Sequence, residues 1–117
     1  MWLTTWRAAF LATVVVEIPI VVAGTRHSGG GLRRRIALAF VAQWLTHPLV
    51  WFVSGHCSSL WAIPTLWCTE LWAWLVEAGL YALCLPGFAP IRAAGVSALA
   101  NGASLGFGVL MAACHQR

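Results

Sequence analysis

The chain has 117 residues, of which 61% are hydrophobic and only 9% are charged. Soluble domains usually carry about a quarter charged residues, so this composition excludes an ordinary water-soluble fold and predicts a protein buried in lipid. The seven basic residues are all Arg and the three acidic residues are all Glu, which gives a net charge of +4. Because the Arg residues lie in loops and at the ends of apolar segments, the charge does not indicate nucleic-acid binding.

Hydropathy divides the chain into four apolar runs, at residues 8–24, 36–54, 66–86 and 94–113. Each run is close to the ~20 residues needed to cross ~30 Å of hydrocarbon at ~1.5 Å per residue. Backbone amides in lipid must be hydrogen-bonded internally, so the runs are predicted to be helices. The sequence therefore predicts an all-α, polytopic membrane protein in which one membrane domain, 1–117, forms a four-transmembrane-helix bundle.

The first run has a second interpretation, as a cleaved signal peptide. Arg7 precedes the run and the small residues Ala23 and Gly24 follow it, as in a signal sequence. Glu17 and Pro19 interrupt its apolar part, however, and a retained first helix is therefore favoured.

Positive charge is unevenly divided between the two sides of the predicted bundle. Arg26, arginines 33–35 and Arg92 lie in the first and third loops, whereas only Arg7 and Arg117 lie on the opposite side. The positive-inside rule predicts a cytoplasmic first loop, with both termini outside, in a bacterial inner membrane. An aromatic belt is expected at the outer face: Trp2, Trp6, Trp51, Trp61 and Trp67.

Polar residues occur inside every predicted helix at similar depth. The candidate residues for binding a proton, ion or small solute are Glu17, Gln43, His47, Glu70, Glu77, Asn101 and Ser104. A carboxylate that faced lipid near the bilayer centre would cost several kcal/mol. These side chains are therefore predicted to turn inward and meet one another, although a packing role is favoured for Ser97 and Gln43.

Prolines and small residues accompany these polar groups. Pro19 and Pro48 lie within two residues of Glu17 and His47, and each removes a helical hydrogen bond. Small residues also recur at every fourth position of the last run: Ala98, Gly102 and Gly106. Such a ridge is typical of close contact between membrane helices.

Two sets of residues are candidate metal sites for a divalent ion. Glu17, His47 and Glu77 offer one imidazole and two carboxylates, a donor set that suits Mn, Fe or Zn. The paired Glu-x-x-His of four-helix diiron proteins is absent, which argues against a diiron enzyme. The second set lies at the outer ends of the runs and suits Zn or Cu: His56, Cys57, Cys68, Cys114 and His115.

The cysteines of the outer set have two further interpretations. Cys57 and Cys68 could form a disulfide in an oxidising exterior. Alternatively, these cysteines act only as small apolar fillers at the helix ends. The residue types do not distinguish between the three possibilities.

In size and plan the chain resembles the small multidrug resistance transporters, which have four short helices and one membrane-embedded Glu in the first. The resemblance rests on Glu17 and the chain length. Glu70, Glu77 and His47 have no counterpart in that family's pattern. The resemblance therefore implies an architecture and not an activity.

Three functions are compatible with the sequence. The favoured one is translocation of a proton, a cation or a small solute through the buried polar site. The others are an intramembrane enzyme or metal-binding protein that uses the Glu and His residues, and a non-catalytic accessory subunit. Because so small a protomer has little surface for a complete pathway, a homo-oligomer or a partner membrane subunit is expected in each case.

Overall fold

Four α-helices make up most of the chain in the computed structural model. It describes the backbone of residues 2–58 and 60–115 and the side chains of residues 6–58 and 60–114. In chain order the helices are α1 (Trp2–Gly24), α2 (Leu32–His56), α3 (Ala62–Cys84) and α4 (Pro90–His115). No strand occurs within the described ranges. The predicted all-α, four-helix architecture is confirmed.

The helices form a ring: each packs against the next helix along the chain, and α4 closes the ring against α1. Within the described residues, α1 does not pack against α3, and α2 does not pack against α4. Short loops join antiparallel neighbours, as in an up-down-up-down bundle. The long axis of the molecule measures 43 Å, close to the ~40–45 Å thickness of a bilayer with its headgroups.

Within the described residues, three helical segments are long and apolar enough to cross a membrane: Trp6–Gly24, Leu32–His56 and Pro90–Cys114. Helix α3 has 23 residues but is not among these segments, and it carries Glu70 and Glu77 together with three indole rings. It lies between α2 and α4 and turns Glu77 into the interior. The fold is therefore that of a helical membrane bundle.

The outer surface of the bundle is rich in large apolar side chains. Leu83 and Ile91 are among the most exposed, at 87% and 80% of their surface. In water, so many exposed apolar side chains would promote aggregation. Acyl chains cover such a surface without cost, which agrees with the composition.

The helix boundaries differ from the predicted runs. Helices α2, α3 and α4 each begin four residues earlier, because hydropathy marks only the part in hydrocarbon. Arginines 33–35 therefore belong to the first turn of α2, and Arg92 to that of α4. The third helix stops two residues short of the end of the third apolar run. It ends at Cys84, since the residue before Pro86 is restricted to extended conformations.

One end of the bundle, here called the arginine end, carries residues 25–35 and 85–92. The other, the terminal end, carries the start of α1, the end of α4 and residues 57–58 and 60–61. At the arginine end the Gly29 amide donates to the Pro86 carbonyl over 2.7 Å and joins the two loops. The Arg35 guanidinium donates to the Val22 carbonyl over 2.8 Å, where the end of α1 favours a cation.

The half of the interior next to the arginine end, here called the arginine half, is closed by apolar packing. The buried residues there include Val21, Ala39, Tyr81, Leu85, Phe88 and Ala93. Tyr81 and Ala93 are fully buried. This half of the bundle is therefore a packed core and not a passage.

Candidate functional site

A buried network of hydrogen bonds lies midway along the bundle and takes side chains from all four helices. Its members are Glu17 of α1, Gln43 and Thr46 of α2, Glu77 of α3, and Ser97, Asn101 and Ser104 of α4. We call this set the carboxyl network. Helical periodicity positions it: on α3, for example, the buried residues recur every four positions, from Thr69 through Ala73 and Glu77 to Tyr81.

The two carboxyl groups of the network come from helices that do not pack against each other. Glu17 is only 2% exposed, and Glu77 is fully buried. The side-chain amide of Gln43 donates to Glu17, and its nitrogen also lies 3.4 Å from Glu77 Oε1. Gln43 therefore links α1 to α3 across the centre of the ring.

Hydroxyl and amide donors complete the network. Glu77 accepts hydrogen bonds from Thr46 Oγ1 over 2.8 Å and from Asn101 Nδ2 over 2.7 Å. The hydroxyl of Ser97 lies 3.5 Å from the same carboxyl group. Ser104 donates to Glu17. A buried polar group left without a partner costs roughly 1–3 kcal/mol, so these bonds hold both carboxyl groups in defined positions.

The network contains no basic side chain. The chain has no Lys, and the Arg residues that the structure describes lie in a loop or near the ends of the helices and not at this depth. Two ionised carboxyl groups in one site repel each other, and neutral donors do not cancel that charge. The pair is therefore chemically suited to hold a proton or a small cation.

A cavity of about 300 Å³ adjoins the network. Its polar lining residues are Thr13, Glu17, Gln43, Thr46, His47, Glu70, Asn101 and Ser104. Following the chain direction of each helix, the lining residues lie at the level of the network or nearer the terminal end. The volume equals that of about ten water molecules in the liquid. The carboxyl network is thus bordered by a cavity on one side and by the packed arginine half on the other.

His47 lines this cavity but does not join the network. Its ring packs 5.5 Å from that of Phe10 and 6.4 Å from those of Trp6 and Trp51. Its Nε2 atom is buried and has no hydrogen-bond partner among the described residues. The structure therefore brings together Glu17, Glu77 and Asn101 as predicted, and places His47 in the aromatic wall beside them.

Glu70 also lies outside the network, in the wall of the cavity. It is half-buried and sits two helical turns from Glu77 toward the terminal end. The same residue borders an apolar groove between α3 and α4 that Trp67 and Trp74 line. Glu70 thus lines both the polar cavity and this groove, as do Asn101 and Leu105.

The predicted metal sites gain no support from the geometry. Within the described residues, no three His, Cys, Asp or Glu side chains lie close enough together to hold a metal ion. Glu17 and His47 line the cavity whereas Glu77 does not, and the three side chains do not converge on one point. The residues present therefore do not fit a divalent ion bound by this set.

The outer cluster is also dispersed. Cys57, Cys68 and Cys114 are free thiols, so no disulfide joins Cys57 to Cys68 in this structure. The Cys57 thiol donates to Thr65 Oγ1 over 3.3 Å, and His56 Nδ1 lies 2.7 Å from the carbonyl of Phe52. The side chain of His115 lies outside the described residues, as do those of Trp2 and Arg117.

Three residues of the site region were not predicted to act in it. Thr46 is a polar residue of the second run but is not among the predicted binding residues, and a packing role is predicted for Ser97, although both contact Glu77. Tyr81 follows Glu77 by one helical turn and is fully buried, and its hydroxyl has no partner in the described part of the chain. Because Tyr81 follows Glu77 by four residues, helical spacing alone predicts that the two lie on the same face of α3.

No family model, curated protein or solved structure matches the chain. The fold and the site therefore define its class by themselves: a four-helix membrane bundle with a buried, paired-carboxyl network.

Proposed function

We propose that this chain moves protons or small cations across a membrane by way of the carboxyl network. One observation carries the proposal: two buried carboxyl groups from opposite helices share the Gln43 amide, and one of them, that of Glu17, lines a cavity. Asn or Ser side chains would hold the helices together at a lower desolvation cost than Glu. A titratable or cation-binding role accounts for the use of Glu.

The difference between the two ends supports the same proposal. The cavity lies on the terminal side of the network, while apolar residues fill the arginine half. A transporter that exposes its midplane site to one side at a time has this arrangement in one of its two states. Transport would then require the arginine half to open while the terminal half closes.

Replacing Glu77 with Gln tests the proposal. The substitution keeps the shape of the side chain and one accepting oxygen, which can still accept from Asn101, but removes the titration and the charge. The new amide nitrogen can donate to Thr46 Oγ1, whose hydrogen can go to the Ala42 carbonyl 3.0 Å away. Proton flux is measured with a pH-sensitive dye in liposomes that contain the purified chain, after a pH gradient is imposed. We expect Glu77→Gln to fold and insert normally and to lose flux by about a hundredfold or more, as for loss of a proton-transferring group.

Arg33→Gln is the control, because it removes an exposed charge far from the network. It should keep the flux of the unaltered chain. A Glu77→Gln variant with full flux and an unchanged pH profile would refute the proposal. An accessory subunit, in which the network only fixes packing, would then be the better interpretation.

We further propose an orientation in a bacterial inner membrane, with the arginine end in the cytoplasm and the terminal end outside. Arg26, arginines 33–35 and Arg92 support this orientation through the positive-inside rule. An impermeant thiol reagent applied to intact cells tests it on variants with one cysteine each. Cys57 should react, and a cysteine in the first loop, Ser28→Cys, should not. The opposite result would invert the orientation.

We also propose that the protein is a homo-oligomer that associates through α4. The predicted small-residue ridge does not pack against another helix of this chain: a Cβ added at Gly102 or Gly106 would meet no described atom within 4 Å. Ala98 is exposed on the same ridge. Gly102→Leu should therefore reduce cross-linked dimers of the purified chain, whereas Leu83→Ala, on exposed α3 surface, should not. Equal dimer yields in all three proteins would exclude this interface.

A further inference from the structure

An apolar groove between α1 and α4 at the arginine end has no role in the proposed transport. It encloses about 490 Å³ and is lined by Ile20, Ala23, Gly24, Arg26, His27, Val96 and Leu99. Gly24 allows the two helices to approach closely there, because a Cβ at this position would lie 2.6 Å from Val96 Cγ2. The groove is therefore a shallow channel whose floor is a tight helix contact.

The walls of the groove are apolar, whereas its outer end is basic. Ile20 and Val96 are half-buried, and Leu99 is exposed. Arg26, also exposed, lines the groove from the first loop. Arg92 precedes Val96 by four residues and therefore lies on the same face of α4, in its first turn. The guanidinium group of Arg26, in the first loop, thus lines the groove, and Arg92, in the first turn of α4, lies one helical turn from its apolar wall.

The positive charge at this end has no acidic partner in the chain. The three acidic residues are Glu17, Glu70 and Glu77, and all lie in the network or in the cavity on the terminal side. The Arg26 side chain instead donates from Nε to His27 Nε2 over 3.0 Å. This bond leaves the terminal nitrogens of the guanidinium available to an external anion.

We propose that this groove binds an anionic phospholipid, with its phosphate on Arg26 and Arg92 and an acyl chain along Val96 and Leu99. Guanidinium groups bind phosphate through paired, charge-assisted hydrogen bonds. Basic pockets between membrane helices at the cytoplasmic side bind acidic headgroups by the same chemistry. A soluble phosphate ion would use only the Arg residues, so the apolar wall points to a lipid. The site does not depend on the proposed transport.

Native mass spectrometry of the full chain in a non-ionic detergent tests the site. The protein is titrated with phosphatidylglycerol or with phosphatidylcholine that carries the same acyl chains, and bound lipid is counted. We expect phosphatidylglycerol to bind more tightly. Arg26→Gln should weaken its binding about fivefold, the effect of one basic side chain near a lipid surface. Arg33→Gln, the same exposed charge at the same end but outside the groove, should weaken it less than about twofold.

A second variant separates a lipid from a free anion. Leu99→Trp fills the apolar wall at an exposed position, so it should fold normally and weaken lipid binding. Inorganic phosphate in excess should displace little lipid. Equal losses in Arg26→Gln and Arg33→Gln would reduce the site to diffuse attraction, and equal binding of the two lipids would exclude it. Full displacement by phosphate, with no effect of Leu99→Trp, would identify a phosphate-ion site instead.

Discussion

The arginine half and the terminal half of the bundle use the same four helices in different ways. On the arginine side of the carboxyl network, apolar residues from all four helices or their adjoining loop fill the interior, and the two loops are hydrogen-bonded to each other. On the terminal side a cavity of about 300 Å³ separates the helices, and α4 is exposed from Gly106 to Cys114. One half is thus closed by packed side chains, whereas the other leaves a cavity beside the carboxyl network.

This asymmetry has an energetic meaning. Regions with few buried contacts open at lower free energy than packed regions, and ligand-binding parts of proteins belong to the first group. The carboxyl network lies at the boundary between the two halves. Packed side chains border the network on the arginine side, and the cavity borders it on the terminal side. Small changes in the terminal half can therefore alter access to the network without unfolding the bundle.

The largest expected difference between the two halves is in the free energy of unfolding, and two leucines test it. Leu85 is 2% exposed in the arginine half, and Leu110 is 60% exposed near the terminal end. Leu85→Ala should lower the free energy of unfolding by about 2–5 kcal/mol because it leaves a cavity in a packed core. Leu110→Ala should change it by less than about 0.5 kcal/mol. Denaturation in detergent, followed by circular dichroism, measures both, and similar losses would contradict the division into halves.

Two helical glycines give the next largest effect. Alanine at position 24 would bring Cβ to 2.6 Å from Val96, whereas alanine at position 102 meets no described atom within 4 Å. Gly24→Ala should destabilise the bundle by about 1–3 kcal/mol through overpacking. Gly102→Ala should leave monomer stability unchanged or slightly raised. The same unfolding measurement, at a protein concentration that favours monomers, distinguishes them, and an undisturbed Gly24→Ala variant would show that α1 and α4 are loosely packed.

A smaller effect is expected at the boundary between the halves. Thr46→Val keeps the shape of the side chain but removes the hydroxyl that donates to Glu77. The loss should be about 1 kcal/mol, since Asn101 still donates to the same carboxyl group. Thr13→Val, which lines the cavity outside the network, is the matched control. If both variants unfold at the same denaturant concentration as the unaltered chain, the hydroxyl of Thr46 contributes nothing measurable.

The last prediction concerns the access of water to each half of the bundle, and its measurement is a reaction rate and not a stability. Ala112 lines the cavity near the terminal end of α4, whereas Ala93 is buried near its arginine end. In a chain without other cysteines, Ala112→Cys should react rapidly with a water-soluble thiol reagent and Ala93→Cys slowly, because thiolates form where water reaches. Equal reaction rates would mean that the arginine half is not closed.

Part of the candidate site could be predicted because it follows from depth and helical spacing. Glu17, Glu77, Asn101 and Ser104 lie at one level along their helices, and the desolvation cost of a carboxylate drives such groups inward. That argument placed all four in one polar site, and the geometry agrees. It could not predict that Gln43 would lie between the carboxyl groups, because a packing role and a bridging role demand the same depth.

Two features of the site region could not be predicted, for one physical reason. His47 lies four residues from Gln43 and so on nearly the same face of α2, yet it turns into an aromatic wall with Phe10 and Trp51. The ridge of Gly102 and Gly106 faces outward instead of toward a helix of this chain. Spacing within one helix says which residues share a face. It does not say what that face meets.

The amino-acid sequence by itself determined the membrane class, the number of helices and the depth of the polar groups, because apolar run length and residue spacing are local properties of the chain. Only the tertiary structure decided that Gln43 joins Glu17 to Glu77, that His47 stays outside and that one half is closed. Those outcomes depend on how each helix rotates about its axis and packs against two neighbours. The free energies of side-chain contacts between helices set that rotation, and no single helix contains them.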